Sequence, residues 1–102
     1  MEAERKRLLK PEGNLTIYEA GRLKELLMES FQGSDVLEID LSEVKECDTS
    51  GLQVLCSAKK TADKEGKKVT LEGISKSVKD TMIITGITYE MIANDGGAVC
   101  LR

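Results

Sequence analysis

The chain has 102 residues, 15 basic and 18 acidic, for a formal charge of −3. That length suits one domain spanning 1–102, and 40% apolar with 32% charged residues is the composition of a globular protein rather than a disordered one. It contains no His, and its aromatics are Tyr18, Phe31 and Tyr89 alone. Missing with them are the commonest general base and metal ligand and the stacking platforms of nucleic-acid modules.

In chain order, Leu8-Leu9 reads as a short strand that ends in the turn Pro11-Glu12-Gly13. Leu15-Thr16-Ile17 begins like a second strand, and Thr16 with Glu19 has the spacing of a capping box. Ala20, Leu23, Leu26, Leu27 and Phe31 then form one apolar helical stripe that Gly33 ends. Val36 to Leu41 alternates Leu37, Ile39 and Leu41 with Glu38 and Asp40, the period of a strand.

Asp48-Thr49-Ser50-Gly51 is a cluster of helix-capping residues, and behind it Leu52, Val54, Leu55, Ala58 and Ala62 have helical spacing as far as Gly66. Lys68 to Glu72 is a further strand with Val69 and Leu71 inward. Ser75 caps a helix through Val78, Met82 and Ile83, with Gly86 as a left-handed terminator and Ile87 folding back. A turn at Asn94-Asp95-Gly96-Gly97 leads to a last strand, Ala98 to Leu101.

Strands alternating with helices predict an α/β fold, a small, mostly parallel sheet with helices packed mainly on one face. The two opening strands are expected to add antiparallel edges to it.

The chemistry-bearing residues are few. Asp35 to Asp48 holds six carboxylates against Lys45 alone, a local balance of −5, which repels phosphate backbones and anionic headgroups. Cys47, Cys56 and Cys100 match neither a redox pair nor zinc spacing and read as small apolar residues in a reducing compartment. Asp40 and Asp48 are a poor metal pair, one at a strand end and one in a cap; Ser42 reads as a turn residue beside Asp40. Nucleophilic catalysis by Thr49 or Ser50 lacks an adjoining base. No cofactor, metal or catalytic residue is expected. The charged N-terminus and the absence of a long apolar run predict a cytoplasmic protein.

Two hydroxyls, Thr49 and Ser50, stand where a helix presents unpaired N–H groups and the positive end of its dipole. Capping alone explains them. A regulatory phosphate on one of them would also meet ready donors there.

The run Ile39-Asp40-Leu41-Ser42-Glu43-Val44, then Asp48-Thr49-Ser50-Gly51-Leu52-Gln53-Val54-Leu55, then Gly66 and Thr85-Gly86-Ile87, resembles the STAS family over roughly residues 8 to 101. This domain is shared by sulfate transporters and anti-sigma factor antagonists. The resemblance implies a four- or five-stranded sheet flanked by helices. It implies a protein-binding module, not an enzyme, that docks through Asp48, Thr49, Ser50, Gly51 and Leu52. In antagonists of the family the hydroxyl after the motif's Asp, here Thr49, is phosphorylated by a kinase that is also the anti-sigma factor, and a phosphatase resets it. Thr at this place also resembles STAS subunits of lipid-asymmetry ABC transporters and chemotaxis-associated STAS proteins, which bind partners without a covalent switch. Neither reading involves nucleic acid or membrane insertion.

Overall fold

A computed structural model describes residues 5–94. The last strand expected at Ala98–Leu101, and Cys100 within it, lie outside the described residues.

Five strands and four helices follow one another: β1 (Lys6–Leu9), β2 (Gly13–Leu15), α1 (Ala20–Phe31), β3 (Val36–Leu41), β4 (Val44–Cys47), α2 (Thr49–Lys64), β5 (Lys68–Ile74), α3 (Lys76–Thr85) and α4 (Tyr89–Ile92). β1, β3 and β5 form one sheet in that order, while β2 and β4 form a two-stranded ladder beside it. All three ladders are parallel. The antiparallel edges expected of the opening strands are therefore corrected. β1 reaches β3 only after β2 and α1 have intervened, and a crossover of that length returns the chain in its original direction.

Alternation sorts the faces of the sheet. Leu37, Ile39 and Leu41 of β3 and Val69 and Leu71 of β5 point into the core, all nearly inaccessible. Lys6, Glu38, Lys68, Thr70 and Glu72 line the opposite face. The helices close the apolar side: α1 contributes Leu23, Leu27 and Phe31, α2 contributes Leu52, Leu55, Ala58 and Ala62, and Val78, Met82 and Ile92 complete the cluster. Leu26, expected on the α1 stripe, is instead 42% exposed at its edge.

Helix ends follow local chemistry with one exception. Ser75 accepts from the Val78 N–H at the start of α3 (3.3 Å), and Gly86 ends it in the left-handed region at φ 77°. The Lys67 ammonium donates to the Phe31 carbonyl at the end of α1, where a cation favours the helix dipole. The capping box of Thr16 and Glu19 does not form. The Thr16 hydroxyl donates to the Glu19 carboxylate directly (2.5 Å), and α1 starts one residue later without a side-chain cap. Its backbone N–H groups lost that competition to a shorter side-chain bond.

Asn94 clips the end of the described chain to the sheet. Its side-chain oxygen accepts from the Val69 N–H (2.8 Å), and its amide donates to Asp63 (3.0 Å), which also receives Lys59 (3.1 Å). The Asp63 carboxyl is held below its ordinary pKa first by Asn94 and then by Lys59.

Candidate functional site

β4 delivers the acidic segment to the start of α2. The spacing of Val44–Cys47 gave no sign of this strand, because only Val44 is buried and Lys45 and Glu46 face solvent. Its pairing with β2 brings the Leu15 carbonyl opposite the Asp48 N–H, which donates to it (3.1 Å).

Asp48 is the N-cap, with extended backbone and a carboxylate that accepts from Gly51 N–H (3.3 Å) and from Ile17 N–H (3.0 Å). One carboxylate thus ends the helix and ties the Thr16–Tyr18 loop to it, the cap role that Asp fills well. Gly51 lies directly against Leu15: a Cβ there would sit 2.8 Å from the Leu15 Cβ and closer still to its carbonyl oxygen. Only a glycine lets the first turn of α2 approach β2 this closely.

The five residues expected at the docking surface divide into two layers. Thr49 is exposed at the first helical position, with Asp48 and Ser50 half-buried beside it. Gly51 and Leu52 are buried, Leu52 at 0% exposure. They set the position of the surface from beneath and offer no atoms to a visitor.

Three exposed apolar residues that periodicity did not single out stand on the segments that adjoin the start of α2. Ile17 and Tyr18, in the loop held by Asp48, are 65% and 90% exposed. Ile84 is 83% exposed on α3. Along α3, the Ser77 hydroxyl donates to Lys45 O (2.5 Å) and the Thr81 hydroxyl to Cys47 O (3.0 Å). Ile84 follows one turn later on the same stripe, which carries it past Cys47 toward the α2 N-terminus. One signal was available: Met82-Ile83-Ile84 are consecutive apolar residues, and a helix with one buried stripe cannot bury all three.

The nearby nucleophile is inert. Burial pushes the Cys47 thiol up to about 11, and the Asp48 carboxylate adds to the rise against a hydrogen bond from Thr81. A thiol of that pKa is almost wholly protonated at neutral pH. Asp40, at the far end of β3, serves as a turn acceptor: Ser42 N–H donates to it (2.9 Å). The Ser42 hydroxyl, then this amide, hold the Asp40 carboxyl below its usual pKa. Both candidate carboxylates, Asp40 and Asp48, are thus engaged with backbone amides. What the site presents is an exposed hydroxyl at a helix N-terminus, Glu46 and Asp48 close by, and an apolar fringe. That is equipment for contact rather than for catalysis by these residues.

The model of the STAS_2 family, described as Mlab, STAS domain, matches residues 2–93. Among solved structures, a sulfate transporter family protein from Wolinella succinogenes superposes with a TM-score of 0.71 at 19% identity, over 93% of this chain and 75% of that one. The STAS domain of a SulP transporter from Vibrio cholerae gives 0.64 at 19% identity, over 98% and 75% respectively. A structure of Mglu gives 0.59 at 18% identity over 66% of this chain, which spans only 17% of that protein. No curated protein matches the chain. At such identities the structural likeness establishes the fold alone.

Proposed function

The chain belongs to the STAS_2 family, and on that footing we propose that it is a cytoplasmic protein-binding module whose Thr49 face docks on a partner protein. Thr49 is the phospho-acceptor that controls the docking, in the manner of an anti-sigma factor antagonist in a partner-switching circuit. The partner is a serine/threonine kinase that doubles as the anti-sigma factor, and a phosphatase restores the free hydroxyl. The module itself catalyses nothing.

The observation that carries this reading is the exposure of Thr49 at the α2 N-terminus, with Ile17 and Tyr18 exposed on the loop that Asp48 holds and Ile84 exposed on α3. Apolar side chains this exposed supply contact area that water otherwise surrounds. A phosphate on Thr49 adds a charge of about −1.5 to −2 beside Glu46 and Asp48. The helix N-terminus accommodates it locally, while a partner shaped for a neutral hydroxyl must desolvate that charge on docking. The modification therefore controls binding and leaves the fold intact.

The test is incubation with ATP and the kinase encoded beside its gene, read by intact mass. The expected result is one added phosphate, absent in Thr49→Ala, with the phosphoform released from the kinase. Kinase that binds the chain without ever modifying it would refute the covalent switch.

A second reading fits the family match equally well: an accessory subunit of a lipid-asymmetry ABC transporter or of a chemotaxis-associated complex, bound through the same face with no covalent step. Co-purification with an ABC ATPase, and no phosphoform in cells, would select it; co-purification with chemotaxis proteins would select the chemotaxis-associated form of the same reading.

A further inference from the structure

α3 carries a second apolar surface, rotated away from the stripe that meets β4. Between α3 and α4 runs a groove of about 460 Å³, with Ile74, Met82 and Ile87 among its lining residues and Ile83 in its wall. Ile83 is 71% exposed. Adjacent helical residues are set about 100° apart, so Ile83 and Ile84 serve different faces of α3. Lys79 and Glu90 line the same groove, and among the described residues they form no ion pair.

We propose that this groove is where a second copy of the chain docks, about a two-fold axis. Three features favour a copy over an unlike partner. The protruding Ile83 and the hollow beside it lie on one surface, so each copy offers both knob and hole, which is the requirement for an isologous interface. The lining is mostly apolar and its two charged residues, Lys79 and Glu90, are exposed, as at the rim of a protein interface. The two marginal charges are of opposite sign: a two-fold axis across the line joining them sets Lys79 of each copy against Glu90 of the other, making two symmetry-related pairs. A strongly acidic or basic partner would instead meet one matched and one repelled charge. Thr49 is not among the residues that line the groove, so this dimer leaves it open. The proposal is thus independent of whether Thr49 is modified.

Sedimentation velocity on the full chain over a range of concentrations is the test, with circular dichroism of each variant to confirm folding. A concentration-dependent dimer is expected. Ile83→Asp should raise its dissociation constant at least about tenfold, since a charge would enter the apolar centre. Lys79→Glu alone and Glu90→Lys alone should each weaken it about fivefold, the size of two lost surface pairs, and the variant carrying both should recover parental affinity. Thr49→Ala should leave the dimer unchanged. A chain that stays monomeric at millimolar concentration overturns the proposal. So does a dimer indifferent to Ile83→Asp, or a charge swap that fails to restore association. If the Ile83→Asp variant loses a co-purifying protein of another kind while both chains are monomers, the groove belongs to that protein.

Discussion

Replacing Gly51 with alanine separates local helix preference from tertiary contact, because the two predict opposite signs. Gly51 sits in the first turn of α2, and by propensity alone alanine in a helix is favoured over glycine by about 1 kcal/mol. The tertiary contact opposes this. The new methyl would lie 2.8 Å from the Leu15 Cβ and press hardest on the Leu15 carbonyl. That carbonyl cannot retreat cheaply: Leu15 is 3% exposed, pairs in register with Cys47, and accepts the Asp48 N–H.

Forcing a methyl into packed surroundings costs about 1–3 kcal/mol, occasionally more. Against backbone the upper part of that range applies, so the net expectation for Gly51→Ala is a loss of about 1–2 kcal/mol. For a domain this size each kcal/mol moves Tm by about 4–8 °C. The internal control is Gly21→Ala in α1, where a Cβ meets nothing within 4 Å and a gain of about 0.5–1 kcal/mol is expected. Urea and thermal unfolding of both variants measure the two signs. A Gly51→Ala variant as stable as its parent, or more so, would show that α2 does not rest on β2 in the way described, and the placement of Thr49 would fall with it.

Three further outcomes follow from hydrogen bonding and burial. Native Cys47 should alkylate at pH 8 on the order of a hundredfold more slowly than in urea, because its pKa of about 11 leaves little thiolate; peptide mapping of the modified chain reads this. The same shift sets a pH dependence. A folded pKa raised above the unfolded one makes this group's contribution complete below about pH 8.5, with stability lost as pH climbs toward 11. Asn94→Ala should cost about 1–3 kcal/mol by equilibrium unfolding, because it strips the Val69 N–H of its side-chain acceptor.

Much of the fold was readable from local pattern. The Leu23–Leu27–Phe31 stripe, the alternation of Val36–Leu41 and the Ser75 and Gly86 ends of α3 are all encoded within a few residues, and the structure reproduces them. The same holds for Asp48 as the cap of α2 and for Thr49 as the first exposed helical hydroxyl. Capping and periodicity are short-range effects, and one chain segment contains all of their cause.

The rest depends on which segments meet. β4 shows no strand pattern because its solvent side is polar and only its pairing with β2 makes it a strand. The direction of β1 and β2, parallel where antiparallel was expected, is set by the crossovers between them and their partners. Gly51 and Leu52, which the family resemblance put on the docking surface, are buried, Gly51 because β2 packs on the first turn of α2. Ile17 and Tyr18 come from one loop and Ile84 from α3, two stretches far apart in sequence from each other and from the α2 cap. An apolar residue in a sequence is marked for burial by its chemistry alone. Whether it finds a neighbour or is left facing water is decided by the long-range contacts of the folded chain, and among the described residues those contacts leave Ile17, Tyr18 and Ile84 exposed.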